Sequence, residues 1–212
     1  MVRILDSTLR EGEQTPGVYF DPHIKLAIAQ LLDEVGVYII EAGHPQVGPE
    51  IHSVVRTLGG SGLKATVAAH ARSLRADVDI ALDCGIGMLG IFYCVSDRRL
   101  AGVFQKRLEE AVEQIASVIA YAKKQQPNLL VRYTPEDAVR SKFGNVVAAT
   151  VAAVEAGADI ISIADTTGLM VPGTENNLHD YVLKLKGELE HRHLAPMIAV
   201  HCHNDRGLAL AN

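Results

Sequence analysis

The chain has 212 residues, of which 48% are hydrophobic and 21% are charged, a composition that is typical of a folded globular protein and excludes global disorder. The formal net charge is −5, which argues against nucleic acid or an anionic membrane as a partner, because both require a basic surface. Three scattered cysteines indicate no disulfide framework and favour the reducing cytoplasm. No apolar run approaches the roughly 18 residues that a membrane span needs.

Short aliphatic runs alternate with longer amphipathic stretches along the chain. Seven of the runs are apolar on both faces, which is typical of parallel strands covered by helices. Strands are predicted near residues 3–6, 37–42, 64–69, 87–93, 129–133, 160–164 and 198–202. Helices are predicted between them, over about residues 22–35, 48–58, 73–84, 100–125, 145–156 and 175–191.

Several helix boundaries carry a recognisable signal. Asp21 is a good N-cap, and Pro22 after it suits the first turn of a helix. An acidic residue and then a glycine precede three of the strands, at Gly36, Gly85 and Gly157. Glycine adopts the left-handed conformation of a helix C-terminus without a Cβ penalty, so these positions predict helix ends.

The repeated βα units predict one catalytic domain over residues 1–212, as either an open doubly wound sheet or a (β/α)8 barrel of the TIM type. No G-x-G-x-x-G motif follows a strand, which disfavours a dinucleotide-binding sheet. A complete barrel has eight strands and about 250 residues. We therefore expect seven strands of a barrel here, with the eighth strand and any C-terminal extension absent from these residues.

In such barrels the reactive groups lie at the C-terminal ends of the strands. The seventh predicted strand ends in HCHND, and His201 and His203 face the same side of an extended strand. Two neutral imidazoles on one side are suited to a divalent metal ion. The alternative is a pair of hydrogen-bonded polar residues at a strand end.

The first predicted strand is followed by the polar run DSTLREGEQ at residues 6–14. Arg10 offers a planar fork for a carboxylate or a developing enolate oxygen. Glu11 follows Arg10 and could complete a metal site made of two histidines and one carboxylate. The alternative is a solvated loop. The second strand, which ends in EAGHP at residues 41–45, gives only a weak signal.

Three further strand ends carry polar groups. Arg132 and Thr134 share a face of the fifth strand, and Glu136 follows if the alternation continues, unless these residues simply begin a helix. The sixth strand ends near Thr166, which offers a hydroxyl, and the third near His70, which alone is more often structural. This mixture of groups at one rim predicts enolisation or aldol-type chemistry on a 2-oxo acid, with a metal as Lewis acid.

The runs at residues 6–14 and 201–205 together resemble the metal-dependent lyase and synthase superfamily of TIM barrels. That superfamily includes homocitrate synthase, 2-isopropylmalate synthase, citramalate synthase and hydroxymethylglutaryl-CoA lyase. The resemblance, which extends over the whole chain, implies an acyltransferase that condenses acetyl-CoA with a 2-oxo acid and hydrolyses the thioester. It also implies a divalent metal (Mg, Mn, Zn or Co) and a homodimer.

The resemblance assigns a role to each candidate residue. The implied metal ligands are Glu11, His201 and His203. The implied substrate-binding residues are Arg10, His70, Arg132, Thr134 and Thr166. Arg10 and Glu136 are the implied catalytic residues. The guanidinium of Arg10 would polarise the carbonyl oxygen that becomes an alkoxide, while Glu136 would order the reacting groups.

Within the superfamily, Arg132 favours homocitrate synthase. At this position the chain resembles homocitrate synthases, which carry an arginine, whereas isopropylmalate synthases carry a glutamate. A cation suits the second carboxylate of 2-oxoglutarate, whereas a buried arginine facing an isopropyl group would lack a counter-charge. The pair of Arg10 and Glu11 favours the same reading. Residues 15–18, residues 41–43 and Cys202 instead look more like 2-isopropylmalate synthase, so that enzyme or citramalate synthase is one alternative, and a synthase for another oxo-dicarboxylate or a phosphono analogue is a second.

Two other hypotheses come from what the resemblance leads us to expect. The superfamily's eighth-strand motif, of the G-x-G-E-R-x-G type, and a C-terminal extension that completes the partner's site are absent from residues 1–212. The chain would then be an incomplete or non-catalytic module that binds a metal and a 2-oxo acid. A metal-dependent aldolase or lyase is less favoured, because the cysteine-containing glycine-rich loop of the CoA lyases is not visible.

Overall fold

The computed structural model describes residues 2–212, and its seven strands form a sheet whose order follows the chain from β1 to β7. Four of the strand pairings, β1–β2, β2–β3, β5–β6 and β6–β7, are parallel. The strands are β1 Leu5–Asp6, β2 Ile39–Gly43, β3 Thr66–Arg72, β4 Met88–Cys94, β5 Leu130–Glu136, β6 Ile160–Asp165 and β7 Met197–Cys202. The helices are α1 Pro22–Val35, α2 Pro49–Gly59, α3 Arg75–Leu82, α4 Asp97–Arg99, α5 Leu108–Gln125, α6 Phe143–Glu155 and α7 Leu178–Glu190.

Helix α1 begins and ends where the sequence signals predict. The Asp21 carboxylate accepts a hydrogen bond from the backbone N–H of Ile24 at 2.9 Å, which satisfies one of the free donors of the first turn. Gly36 closes the helix in the left-handed conformation, with φ of 86°. The same left-handed glycine recurs at Gly85 and Gly157, so the predicted stop signals are confirmed.

The predicted helix over residues 100–125 is wrong in its first third. Helix α4 is followed by a π-helical turn, Leu100–Phe104, which ends at Gln105 in the left-handed conformation with φ of 51°. Helix α5 then starts only at Leu108. Apolar spacing alone did not reveal this interruption.

Local hydrogen bonds explain the interruption. The backbone N–H of Gln105 donates to the Leu100 carbonyl, which is the five-residue bond of a π-helical turn, and the N–H of Lys106 donates to the same carbonyl at 3.0 Å. The Glu110 carboxylate accepts from the backbone N–H of Arg107 at 2.8 Å and so caps the start of a new helix. A new N-terminus therefore forms within the stretch that was predicted to be continuous.

The chain forms two compact units. The first contains the residues up to Gly90 together with Gln126–Leu130, and its core includes Ile40, Val55 and Ala68. In this unit Gly59 ends α2 so close to the turn before β4 that a Cβ there would lie 2.1 Å from the carbonyl oxygen of Cys84. The C-terminus of α2 can therefore pack at this distance only because residue 59 has no side chain.

The second unit contains Ile91–Gln125 and Val131–Asn212, with Ile115, Ile119 and Ile161 in its core. Strand β7 was predicted to be buried on both faces, and this prediction is wrong. None of its six residues is buried, and Val200 is 51% exposed. The strand is the last in the sheet order, so among residues 2–212 it pairs only with β6. No helix in the described part of the chain is long and apolar enough to cross a membrane.

Candidate active site

The turn after β1 carries Arg10 and Glu11, and backbone bonds fix its shape. The carbonyl oxygen of Ser7 accepts the N–H of Arg10 at 3.0 Å and that of Glu11 at 2.7 Å. Just before them, the Asp6 carboxylate accepts the N–H of Thr8 at 2.9 Å. The start of the polar run that follows the first strand is thus a compact hydrogen-bonded turn.

The Arg10 guanidinium is held by two carboxylates. Its Nε donates to Glu41 Oε2 at 2.6 Å, and its Nη1 bonds the carboxylate of Glu11. Glu41 lies on β2 with its side chain fully buried, while the Arg10 side chain is 9% exposed. Charged hydrogen bonds of this kind are strong and directional, so Glu41 aims the guanidinium. Sequence reasoning gave Glu41 too little weight, although it is the one charged residue in the apolar strand IIEAG.

His70, at the end of β3, stacks against His44, which follows β2. The ring centroids are 5.1 Å apart with an interplanar angle of 25°. Nδ1 of His44 lies 3.1 Å from the carbonyl oxygen of His70. Because a carbonyl oxygen only accepts, Nδ1 carries the proton and Nε2 is the acceptor nitrogen of the neutral ring. Burial lowers the pKa of His44 and the positive charge of Arg10 lowers it further, which favours the neutral ring.

A cavity of about 180 Å³ adjoins this cluster within the first unit. Its polar lining comes from Arg10, Glu13, Gln14 and His44, and its apolar lining includes Val47 and Ile51. A pocket with a few convergent polar groups on an apolar wall is suited to a small organic molecule. His44 was not among the predicted site residues, and a single histidine after a strand gave no signal strong enough to select it.

In the second unit, β5 buries two of the predicted site residues. Arg132 is 6% exposed and Thr134 is 7% exposed. The Thr134 hydroxyl has no hydrogen-bond partner among residues 2–212. A buried hydroxyl without a partner costs free energy, and a ligand with acceptor oxygens would remove that cost.

Glu136 ends β5 at the rim and is half-buried. Arg99 Nη2, from the end of α4, lies 3.6 Å from its Oε1. Sequence reasoning missed Arg99, which lies in the short helix α4 just before the helix that was predicted over residues 100–125. The ion pair keeps the Glu136 carboxylate beside a cation at the end of the strand.

Thr166 and His203 lie close to one anchor, Asp165 at the end of β6. The buried Asp165 carboxylate accepts the backbone N–H groups of Leu169 and Met170, each at 2.9 Å, and so holds the loop that contains Thr166. The Asp165 carbonyl accepts the N–H of His203 at 3.2 Å. The Thr166 hydroxyl oxygen accepts the N–H of Asp137 at 2.9 Å, which leaves its hydrogen available for donation to a ligand.

His201 and His203 at the end of β7 have ring centroids 5.1 Å apart, with an interplanar angle of 84°. Both are half-buried, and Nδ1 of His203 lies 4.0 Å from Asp205 Oδ2. Two neighbouring imidazoles beside a carboxylate are chemically suited to a divalent metal. In each unit most of the candidate residues lie at or after the C-terminal ends of strands, whereas Arg132 is the third of the seven residues of β5. The metal set that joins Glu11 to the two histidines stays a prediction.

Comparisons with known proteins identify relatives over the full length of the chain. The HMGL-like family model matches residues 1–212. The homocitrate synthase of Pyrococcus abyssi is 44% identical over 209 residues, which are 99% of this chain and 55% of that protein. The homocitrate synthase of Saccharolobus islandicus is 40% identical over 215 residues, covering 100% of this chain and 45% of the relative. The chain thus spans about half the length of the curated relatives that it matches.

Solved structures support the fold. The HMG-CoA lyase of Bacillus subtilis matches with a TM-score of 0.77 at 25% identity, over 100% of this chain and 71% of that one. The hydroxymethylglutaryl-CoA lyase of Pseudomonas aeruginosa matches with a TM-score of 0.79 at 20% identity, over 99% and 70%. The predicted (β/α)8 fold class, with seven strands in this chain, and the predicted superfamily are confirmed.

Proposed function

Because the chain belongs to the HMGL-like family, we propose that it is an acyltransferase that condenses acetyl-CoA with a 2-oxo acid. The substrate we propose is 2-oxoglutarate. In the balanced reaction, acetyl-CoA, 2-oxoglutarate and water give homocitrate and CoA. The identity of 40–44% to homocitrate synthases supports this choice over its alternatives.

The observation that carries the choice of substrate is the buried Arg132 in β5, beside Thr134. A dicarboxylic oxo acid presents a second carboxylate that a guanidinium can bind with two parallel hydrogen bonds. A branched aliphatic side chain in the same place offers the guanidinium no acceptor oxygen, so it would gain no charged hydrogen bond from Arg132. The Thr134 hydroxyl supplies a further donor for a carboxylate.

We assign a divalent metal to Glu11, His201 and His203. The donor set fits, because two imidazole nitrogens and one carboxylate oxygen suit Mg, Mn, Zn and Co. A bound divalent cation would supply Lewis-acid polarisation of the 2-oxo carbonyl.

The chain's own residues would then bind and stabilise the reacting groups. Arg10, held at Nε by Glu41, would stabilise the negative charge that develops on the substrate oxygen. Because the guanidinium is already oriented before substrate binds, little reorganisation is needed during the reaction. Thr166 would donate to the carboxylate beside the oxo group. His70 would line the oxo-acid pocket, and Glu136 would order the groups at the rim.

A second candidate is a lyase that runs in the cleavage direction. The match to the HMG-CoA lyase of Bacillus subtilis favours it. The two functions differ in their products. The acyltransferase releases a free thiol from acetyl-CoA and an oxo acid, whereas the lyase breaks a carbon–carbon bond of a hydroxyacyl-CoA and leaves its thioester bond intact.

The experiment titrates the chain by calorimetry with 2-oxoglutarate, 2-oxoisovalerate and pyruvate in Mn²⁺, and then follows thiol release from acetyl-CoA. We expect 2-oxoglutarate to bind most tightly and to support the fastest thiol release. Absence of thiol with every oxo acid would contradict an acyltransferase in this chain. Tightest binding of 2-oxoisovalerate would contradict the choice of 2-oxoglutarate.

A charge reversal at Arg132 tests directly whether this residue determines the choice of substrate. Arg132→Glu is expected to weaken 2-oxoglutarate binding about 100-fold, or about 2.7 kcal/mol, because it replaces a charged bidentate contact with repulsion. Pyruvate binding is expected to change less than about threefold. The matched control, Arg107→Glu, changes an exposed arginine of the same unit and should leave both affinities unchanged. Equal losses for the two oxo acids would contradict the proposal.

A further inference from the structure

Helix α1 buries a lysine. Lys25 lies in the first turns of the helix, with its backbone N–H bonded to the Asp21 carbonyl at 2.9 Å. Its side chain is only 1% exposed, so the ammonium group is removed from solvent. Lysine is almost never buried to this extent unless it is paired. None of the roles proposed above uses it.

The Lys25 ammonium bonds to both sides of the reactive pair. Nζ lies 2.5 Å from Glu13 Oε2 and 3.5 Å from the carbonyl oxygen of Leu9. Leu9 immediately precedes Arg10, and Glu13 follows Glu11 by two residues. One side chain therefore ties the chain down just before and just after the two residues assigned to the oxyanion and the metal.

Glu13 extends this connection to the segment that leads into α1. Its Oε1 accepts the backbone N–H of Phe20 at 3.2 Å. With Lys25 on Oε2, both carboxylate oxygens are engaged and the turn is attached to the start of the helix. The turn also has its own bonds, from Ser7 O to the N–H groups of Arg10 and Glu11. These bonds set its internal shape, whereas Lys25 sets its position on α1.

A buried ammonium is an expensive way to fill this space. Desolvation of two charges offsets much of their attraction, so an apolar residue of similar size would often serve packing as well or better. Ala29, one turn further along α1, is fully buried with no such partner, which shows that an apolar residue is accommodated on this part of the helix. The charge of Lys25 is therefore better explained by its hydrogen bonds to Glu13 and to the Leu9 carbonyl, which position the turn between them.

We propose that Lys25 is a positioning residue that acts through Glu13 and the Leu9 carbonyl to hold Arg10 and Glu11 in their reactive places. Its consequence for metal and substrate rests on the proposed function. Its consequence for the turn does not, because the turn's hydrogen bonds exist in the free chain. The two consequences can therefore be measured separately.

The first measurement is amide hydrogen exchange on the free 212-residue chain. Lys25→Met keeps an unbranched side chain, which is one atom shorter, and removes the charge. We expect exchange at the Arg10 and Glu11 amides to become at least tenfold faster, with a smaller change at Ile40 of β2. The matched control is Ala29→Gly, which loosens the same helix and removes no hydrogen bond to Leu9 or Glu13. It should speed exchange in α1 without a selective effect at residues 10 and 11.

A double variant separates orientation from stability. Lys25→Met leaves the Glu13 carboxylate without its cation, and adding Glu13→Gln removes that charge. We expect the double variant to recover much of the lost resistance to urea but not the slow exchange at Arg10 and Glu11. If both recover together, or if Lys25→Met and Ala29→Gly give the same exchange pattern, the ammonium is only a packing element and the proposal is wrong.

The second measurement is the affinity for Mn²⁺, followed by the electron paramagnetic resonance signal of the free ion. Lys25→Met is expected to bind Mn²⁺ about tenfold more weakly, and Ala29→Gly as tightly as the parent chain. If Lys25→Met exchanges its Arg10 and Glu11 amides quickly but binds Mn²⁺ as tightly as the parent chain, the position of the turn does not control the metal site, and that part of the proposal is wrong. If the parent chain binds no Mn²⁺, the proposed metal site fails, while the exchange experiment still decides the role of Lys25.

Discussion

The turn after β1 and the end of β7 both carry residues assigned to the reaction, but they are built differently. Arg10 lies among buried charges, with the fully buried Glu41 on its Nε. His201 and His203 are half-buried on a strand in which no residue is buried. A change in the turn must therefore alter both the stability of the fold and ligand binding, because it leaves a buried charge without its partner. A change at the histidines can remove a ligand at little structural cost.

The largest effect is expected at β7. His203→Ala should abolish detectable Mn²⁺ binding, a loss of more than about 1,000-fold or about 4 kcal/mol, because it removes one of three proposed ligands. The free energy of unfolding should change by less than about 1 kcal/mol, since the side chain is partly exposed. Calorimetry and urea unfolding measure the two quantities. The control is His179→Ala, which changes an exposed histidine of α7 and should alter neither the Mn²⁺ affinity nor the free energy of unfolding. Unchanged Mn²⁺ affinity in His203→Ala would refute the ligand assignment.

The opposite pattern is expected in the turn. Glu41→Gln should lower the free energy of unfolding by about 3 kcal/mol, because Arg10 keeps a buried charge without its full partner. Urea unfolding measures this loss. Glu188→Gln is the matched control, since its bond to Arg192 is largely exposed and should contribute less than about 1 kcal/mol. Similar losses for the two variants would remove the contrast drawn between buried and exposed groups.

A pH titration sharpens the same contrast at His44. Burial and the Arg10 charge lower the pKa of His44 in the folded chain, so below pH 6.5 the unfolded state binds the proton first. The stability that neutral His44 contributes is thus present above pH 6.5 and is lost as the pH falls below it. The slope cannot exceed about 1.4 kcal/mol per pH unit for one proton. Comparing urea unfolding of the parent chain and His44→Gln from pH 7.5 to 5.5 isolates this contribution, and parallel curves would contradict it.

The smallest effect is expected at the rim of β5. Arg99 and Glu136 are 3.6 Å apart and both partly exposed, so Arg99→Gln should change the free energy of unfolding by less than about 1 kcal/mol. Any effect should appear in substrate affinity at low salt and should fade at higher ionic strength. Calorimetry at two salt concentrations measures it. A loss of stability as large as that of Glu41→Gln would show that this pair is not a surface feature.

The sequence was most informative where local chemistry decides the structure. The capping side chain of Asp21 and the left-handed Gly36 act within a few residues, so the limits of α1 could be predicted. The alternation of β5 likewise placed Arg132 and Thr134 together in the buried interior. In both cases the determining interactions lie within one element or at its ends.

Prediction failed where the determining contact joins residues far apart in the sequence, or where it competes with the apolar spacing of a helix. Glu41 meets Arg10 across 31 residues of sequence, and no local pattern reports that pairing. The interruption at Gln105 lies in a stretch whose apolar spacing favours one long helix, and the side-chain cap from Glu110 overrides it. Among residues 2–212, β7 pairs only with β6 and has no buried residue, although its apolar run is typical of a strand covered on both faces.

The closeness of Gly59 to the carbonyl of Cys84 has a consequence for reading mutational libraries of this protein. Any other residue at position 59 must push α2 away from the turn before β4, so a saturation library should return almost only glycine there. Such intolerance would look like that of a reactive residue, although Gly59 carries no functional group. Intolerance to substitution at this position therefore reports a backbone distance, and it should not be used to enlarge the active site.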